Sequence, residues 1–270
     1  MRGRYLLVTD LDGTLLGNDE ALRQFAEWYQ AQREQLRLVY NSGRLFQSTV
    51  DLINSTALPE PDAVIGGVST EVRYYPDGDD VLLGWPTFLG HWDIDDIQAI
   101  LAEYDELQLQ PPEFQTPLKL SFYAYDLAAD FLARLQRRLA TADYRVNVVY
   151  SSGRDLDVMP TGVSKGSAIV HLACKWKLRS WQVIVSGVTG SNLSMFLRGF
   201  RGIVPANAHK ELKGLRSPHI YHSEHSYAAG VLEGMEFWLK NAKQFTATRV
   251  GPMLESPGDK CRCCRARGDL

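Results

Sequence analysis

The apolar positions divide the chain into stretches that obey different rules. Tyr5 to Val8 is an apolar run without alternation, the mark of a strand buried on both faces, as in a parallel sheet. Glu20 to Glu34 carries Leu22, Phe25, Ala26 and Tyr29 at helical spacing, and Leu36 to Tyr40 is a second short apolar run. A helix follows from about Leu45 to Asn54, then a third strand over Asp62 to Ile65, ended by Gly66-Gly67. This βαβ succession builds a doubly wound sheet.

From about residue 82 the rule changes. Leu118, Leu120, Phe122 and Ala124 alternate like a half-exposed strand, between helical patterns at Ile94, Ile97, Leu101, Tyr104 and at Leu127, Phe131, Leu135, Leu139. Val146 to Tyr150 and Asp155 to Met159 read as two more strands. Half-exposed alternation points to an antiparallel sheet carrying helices on one face. After Pro160 the first rule resumes, with helices over Gly166–Trp176, Leu193–Leu197 and Ser226–Leu239 and strands over Trp181–Ser186 and Gly202–Val204. The expected architecture is therefore α/β: a doubly wound, mostly parallel sheet core from residues 1–81 and 161–243, with an inserted α+β module over 82–160. Residues 244–270 lose periodicity and gather Thr, Gly, Pro, Arg and Cys, the composition of a disordered tail.

Composition narrows the function. A hydrophobic content of 45% and a net charge of -3 suit a globular chain without the basic field that nucleic acid or a membrane surface would attract. No stretch approaches the roughly 20 apolar residues of a membrane helix, and the N-terminus runs straight into a strand. A small-molecule partner and a cytoplasmic address are expected. Cys174 sits in an apolar helix pattern, where a small buried thiol is expected. Cys261, Cys263 and Cys264 crowd the basic tail without the paired spacing of a structural zinc site.

The chemistry gathers after the first strand, where Asp10-Leu-Asp12-Gly13-Thr14 forms the loop at its carboxyl end, the place where open α/β sheets bind ligands. Two carboxylates there suit phosphoryl transfer: one attacks phosphorus, and the other protonates the departing oxygen and later takes a proton from water. An anion approaching a phosphate dianion needs positive charge between them, which Mg²⁺ supplies. The competing interpretation is an ordinary turn with Asp as an Asx-turn residue. Ser42 and Gly43 fall between a strand and a helix, where hydroxyl and N–H groups hold phosphate or simply cap the helix. Lys165, just before a helix, is either a point charge for an anion or a solvated lysine.

Taken together, these segments resemble the haloacid dehalogenase (HAD) superfamily of phosphatases, whose first motif Asp10-Leu-Asp12-Gly13-Thr14 matches. The chain is similar in particular to the sucrose-phosphate and mannosylfructose-phosphate phosphatase group, through Tyr40-Asn-Ser-Gly-Arg-Leu45, Val64-Ile-Gly-Gly-Val-Ser69, Val149 to Asp157, Met159-Pro160, Lys165-Gly166, Arg201 to Val204 and Ala206-Asn-Ala208. The resemblance implies a HAD-like core with a cap, hydrolysis of a disaccharide phosphate, Asp10 as nucleophile and Asp12 as acid/base. It implies Ser42, Gly43 and Lys165 as phosphate ligands and Mg²⁺ held by Asp10, the Asp12 carbonyl and Asn192. Polar residues on the cap strands and their turn, Lys119, Ser152 and Arg154, are candidates for the sugar or for a solvated face.

One motif departs from the pattern. Where the family reads Ser-Gly-Asp-Thr/Ser-Gly-Asn-Asp, this chain has Ser186-Gly187-Val188-Thr189-Gly190-Ser191-Asn192. Val188 brings neither charge nor a side-chain oxygen, so Mg²⁺ loses an anionic ligand. That leaves two expectations: a phosphatase with altered metal dependence, or a catalytically weak or inactive protein that binds a sugar phosphate or docks a glycosyltransferase.

Overall fold

The computed structural model describes residues 5–81, 91–151 and 153–241. Ser152, the start of the inserted module at residue 82 and the tail with Cys261, Cys263 and Cys264 lie outside the described residues. In chain order the first elements are β1 (Tyr5–Thr9), α1 (Asp19–Gln32), β2 (Leu36–Asn41), α2 (Phe46–Ser55), β3 (Ala63–Gly66) and β4 (Glu71–Tyr74). The middle contains α3 (Ile94–Leu101), β5 (Gln108–Leu109), β6 (Leu120–Tyr123), α4 (Phe131–Thr141), β7 (Val146–Ser151) and β8 (Asp155–Pro160). The last part returns with α5 (Lys165–Lys175), β9 (Val183–Ser186), α6 (Leu193–Phe196), β10 (Arg201–Val204), α7 (Lys210–Lys213), β11 (Ile220–His222) and α8 (Tyr227–Lys240).

Seven strands form one sheet in the order β11-β10-β9-β1-β2-β3-β4, parallel throughout except for the antiparallel β3–β4 edge. Its two faces explain the unalternating strand runs. Leu6 and Val8 pack into a cluster with Ala168, Ile169 and Leu172 of α5. Tyr5 and Leu7, pointing the other way, join Leu22, Phe25 and Tyr29 of α1 and Val231, Met235 and Trp238 of α8. With helices on both sides, every position of the central strand gains by being apolar, each fully buried side chain by about 1.5–3 kcal/mol.

The smaller sheet, ordered β5-β6-β8-β7, is antiparallel. Leu120, Phe122, Leu156 and Val158 face Ile97 and Leu101 of α3 and Phe131, Leu135 and Leu139 of α4. Period-two alternation puts Ser121, Asp155 and Asp157 on the opposite face.

Several elements differ from the sequence expectation. β4 follows a tight turn at Val68 and Ser69, both at positive φ, where Gly66-Gly67 alone suggested only a break. β5, β11 and α7 are two to four residues long, too short for a periodic signal. Trp181 lies in a 3₁₀ turn before β9, its ring packed edge-on against Tyr5 at 6.2 Å. Cys174 is half-buried. No helix among the described residues is long and apolar enough to cross a membrane.

A charged hub ties β11 to α8. Glu233 accepts from the Tyr221 hydroxyl at 2.7 Å, from the N–H groups of Glu224 and His225, and pairs with His225 Nδ1 at 2.8 Å. Burial alone would raise the carboxyl, but the hydrogen bonds from Tyr221 and His225 outweigh it and hold it below its ordinary 4.5; the Tyr221 phenol, bonded to Glu233 and partly desolvated, is pushed up to about 12. A carboxyl lowered on folding takes up its proton less readily in the native state, so it adds stability above pH 4.5 and gives it up as pH falls through the native value. Glu233→Gln is expected to lower stability by about 1–2 kcal/mol at pH 7 and to flatten the acid limb of stability against pH, measured by urea unfolding from pH 3 to 7.

Candidate active site

The carboxyl ends of β1, β2 and β9 meet because these strands are neighbours and parallel. Asp10 leaves β1 with its N–H bonded to Ser186 O of β9 at 3.0 Å, which sets the first loop against the loop of Gly187 to Asn192. The Asp10 side chain is buried, and each of its oxygens is engaged. Oδ1 accepts from Leu11 N at 2.9 Å and faces Lys165 Nζ at 3.2 Å; Oδ2 accepts from Asn192 Nδ2 at 2.7 Å. A buried carboxylate persists because it is paired and hydrogen-bonded.

Lys165 is itself 3% exposed and occupies the first position of α5. Ser164 caps that helix in a reciprocal box with Ser167, which fixes where the lysine starts. Asn41, fully buried at the end of β2, donates to Lys165 O at 3.1 Å, so the strand that carries Ser42 also positions the lysine. Ser42 is buried too, its Oγ accepting from Arg44 N at 3.1 Å. The Gly43 N–H makes no hydrogen bond among the described residues.

The helix after this loop begins about where the sequence placed it, at Phe46 instead of Leu45. α2 starts at Phe46 with Leu45 as its cap residue, and the Glu71 carboxylate of β4 accepts from Phe46 N. Ser42 and Gly43 therefore lie in the loop before the helix, not at its N-terminus. An anion held there meets a hydroxyl and loop N–H groups, without direct contact with the first helical turn. Neither Asn41 nor Ser42 caps α2.

Asp12 stands outside the buried cluster. Its carboxylate takes a two-pronged bond from Arg44, Nε to Oδ2 at 2.9 Å and Nη2 to Oδ1 at 2.8 Å, and the bond to Asp12 holds the guanidinium above its ordinary value. Both side chains are more than a third exposed, 38% for Arg44 and 56% for Asp12, so solvent screens the pair to about 1 kcal/mol or less. Asp12 can be released at little cost. Sequence reasoning missed this role of Arg44, and likewise Asn207, whose Nδ2 donates to Gly13 O at 2.8 Å and whose Oδ1 accepts from Tyr227 N, tying the Asp10–Asp12 loop to α8. Their only signal was membership of the matched segments.

Asn192, expected to lend an oxygen to Mg²⁺, presents its nitrogen. Oδ1 accepts from Val188 N and Thr189 N at 3.0 Å each and from Thr189 Oγ1 at 3.2 Å. Two of those donors are backbone N–H groups, which cannot reverse, so the amide orientation is fixed by its surroundings. Gly187 permits this approach: a Cβ there would lie 2.5 Å from Asn192 Cγ. Val188 is 3% exposed in the apolar cluster under the sheet. Mg²⁺ requires oxygens in near-octahedral array. Here the Asp10 oxygens carry N–H donors, the Asp12 carboxylate carries Arg44, and the Asp12 carbonyl is a single neutral oxygen. The set does not fit Mg²⁺ as it stands, and among the described residues no group of three His, Cys, Asp or Glu could hold a metal ion.

Of the sugar candidates, Lys119 and Arg154 are bonded to residues of the smaller sheet. Lys119 Nζ is buried against Ser121 Oγ at 2.7 Å and Asp157 Oδ1 at 3.5 Å, and Arg154 is bonded to Asp155 through Nε and Nη2. A cavity of about 590 Å³ lies between β7, the 161–164 link and the turn at Gly190–Asn192; Lys165, Asn147, Tyr150 and Ser191 line it, but Lys119 and Arg154 do not.

Comparison with known proteins agrees over nearly the whole described chain. Residues 3–239 match the family model of sucrose-6F-phosphate phosphohydrolase. The chain is 34% identical to mannosylfructose-phosphate phosphatase of Agrobacterium fabrum over 249 residues, 90% of this chain and 100% of that protein. It is 32% identical to sucrose-phosphatase 1 of Nicotiana tabacum, covering 86% of this chain but 58% of the longer plant protein. Among solved structures, the sucrose-phosphatase from Synechocystis in complex with sucrose and phosphate superposes with a TM-score of 0.80 at 29% identity, over 88% of this chain and 98% of that one. A haloacid dehalogenase-like hydrolase of Bacillus subtilis shares the fold at 17% identity and a TM-score of 0.62, over 88% and 93% of the two chains.

Proposed function

The chain belongs to the sucrose-6F-phosphate phosphohydrolase family, and from that premise we propose that it hydrolyses the phosphate ester of a disaccharide through an aspartyl-phosphate at Asp10. The observation that carries this reading is the buried Lys165–Asp10 pair at the carboxyl end of the central strands: a nucleophile beside a cation that can also meet a phosphate oxygen.

In this reading Ser42 Oγ, the Gly43 N–H and Lys165 hold the phosphoryl oxygens. An Asp10 oxygen attacks phosphorus while the bond to the sugar oxygen breaks, and Asp12, once it has left Arg44 and taken a proton from solvent, delivers that proton to that oxygen. Asp12 then removes a proton from water, whose oxygen attacks the phosphoryl group and frees Asp10. Hydrolysis through the same intermediate regenerates every residue. The module over 82–160 acts as a cap that encloses the sugar and excludes bulk water. Lys119 and Arg154 contact the sugar only if they leave their present partners.

Phosphatases of this kind generally use Mg²⁺, which supplies electrophilic charge when bound; the described residues around Asp10 and Asp12 do not make a site for it. A glycosyltransferase that makes the phosphorylated disaccharide is the natural partner, since it would supply the substrate. The test is release of inorganic phosphate from mannosylfructose phosphate and sucrose 6-phosphate. The expected result is turnover of at least one of them well above that of a simple aryl phosphate. Binding of both without release would replace the enzyme with a sugar-phosphate-binding protein.

A further inference from the structure

Asp10, Lys165, Asp12 and Arg44 balance in charge without a metal. The Asp10 charge is met by Lys165 at 3.2 Å and the Asp12 charge by Arg44 at 2.8 Å, while positions 188 and 192, which could have added two negative charges, are Val and Asn. Before a phosphate enters, a divalent cation would bring two positive charges to a cluster that is already neutral. The Asn192 amide also stands on Asp10 Oδ2 at 2.7 Å, the oxygen not facing Lys165. Its own oxygen is tied to three donors of the Val188–Thr189 turn, so it cannot swing away without leaving two backbone N–H groups without an acceptor, in a place where Asn192 is fully buried.

Resting on the reading of Asp10 as the phosphoryl site, we infer that this chain binds a phosphoryl group without a divalent cation, the Asn192 amide holding Asp10 Oδ2 where a cation would otherwise sit and Lys165 providing the positive charge. Asn192 is then a positioning residue: it fixes which Asp10 oxygen is left to Lys165 and the incoming phosphate. The substitution that reverses the device is nearly isosteric. Asn192→Asp keeps the acceptor for Val188 N and Thr189 N but sets a second carboxylate oxygen about 2.7 Å from Asp10 Oδ2, a like-charge contact that calls for a cation or a proton. Val188→Asp with Asn192→Asp adds a further anionic ligand.

The experiment measures binding of inorganic phosphate and of orthovanadate by calorimetry, with Mg²⁺ and with a chelator, and thermal unfolding with and without Mg²⁺ at matched ionic strength. For the natural chain, phosphate affinity is expected to change less than about twofold with Mg²⁺, and Tm by less than about 1 °C. For Asn192→Asp, Mg²⁺ at about 10 mM should raise Tm by roughly 2–4 °C, and for the double variant phosphate affinity should rise at least about tenfold with Mg²⁺. A tenfold gain in phosphate affinity with Mg²⁺ in the natural chain overturns the inference and leaves the phosphatase reading standing. So does a variant that folds, as judged by circular dichroism, yet gains nothing from Mg²⁺. Absence of phosphate and vanadate binding under every condition overturns both; the single variant, read by Tm, covers the case in which the double variant does not fold.

Discussion

Asp10→Asn should remove phosphate release from a disaccharide phosphate by at least about 10³-fold while leaving phosphate binding intact. The rate loss follows because the covalent route ends with the nucleophile, and general acid–base help from Asp12, worth about 10²–10⁴-fold in such sites, has no aspartyl-phosphate to form or hydrolyse. Binding survives because Ser42, Gly43 and Lys165 are untouched, and removal of one negative charge favours an anionic ligand. Stability should fall. With its oxygen toward Leu11 N and Lys165, the new amide sets its NH₂ against the Asn192 NH₂ at the 2.7 Å separation now bridged by a hydrogen bond; turned over, it sets the NH₂ against Leu11 N–H and the Lys165 ammonium. Either way a buried donor loses its acceptor, at about 1–3 kcal/mol. The measurements are phosphate release, calorimetric phosphate binding, and rapid-quench mass spectrometry of the natural chain, in which a phosphoryl adduct on the peptide holding Asp10 should appear. Retention of a tenth of the natural rate by Asp10→Asn would exclude the nucleophilic role.

The placement of Asp10 was readable from the chain because it follows from strand physics. A short apolar run without alternation reads as a strand covered on both faces, and the observed clusters put α5 on one side of β1 and α1 with α8 on the other. The carboxyl end of such a strand opens at the ligand side of the sheet. The alternating Leu120 and Phe122 were equally informative, since among the described residues α3 and α4 cover the face of the smaller sheet to which they point. What the chain did not disclose depends on side chains brought together from far apart. The cap of α2 comes from Glu71, on a strand that follows a turn with Val68 at φ 55, a conformation no pattern of apolar residues announces. Asn192 was legible as a replacement for an acid, but which end of its amide faces Asp10 is decided by the N–H groups of Val188 and Thr189. The Arg44–Asp12 pair spans 32 positions, and no local signal marks it.

Lys165→Met should weaken phosphate binding about 10²-fold and lower turnover by about 10²–10³-fold. The ammonium is buried and stands 3.2 Å from Asp10 Oδ1; a unit charge at about 4 Å in surroundings of effective dielectric near 20 is worth about 4 kcal/mol, an upper figure that desolvation reduces. Without it, a phosphate dianion must approach an uncompensated carboxylate. Ser42 and the Gly43 N–H offer hydrogen bonds but no charge. Lys165→Arg should restore little, because a planar fork needs more room than a point charge at the first turn of α5, where a Cβ on Gly166 would already lie 2.1 Å from Ser194 O. The partner left behind matters for stability: Asp10 keeps Leu11 N and Asn192 Nδ2 but loses its counter-charge, and breaking a buried pair this way costs up to about 3–5 kcal/mol. Asp10→Asn combined with Lys165→Met removes both charges together, so the double variant should lose less stability than the sum of the two single losses, with a coupling of about 1–3 kcal/mol in urea unfolding. Additive losses, or a Lys165→Met protein that binds phosphate as tightly as the natural chain, would show that this lysine serves the packing of α5 and not the anion.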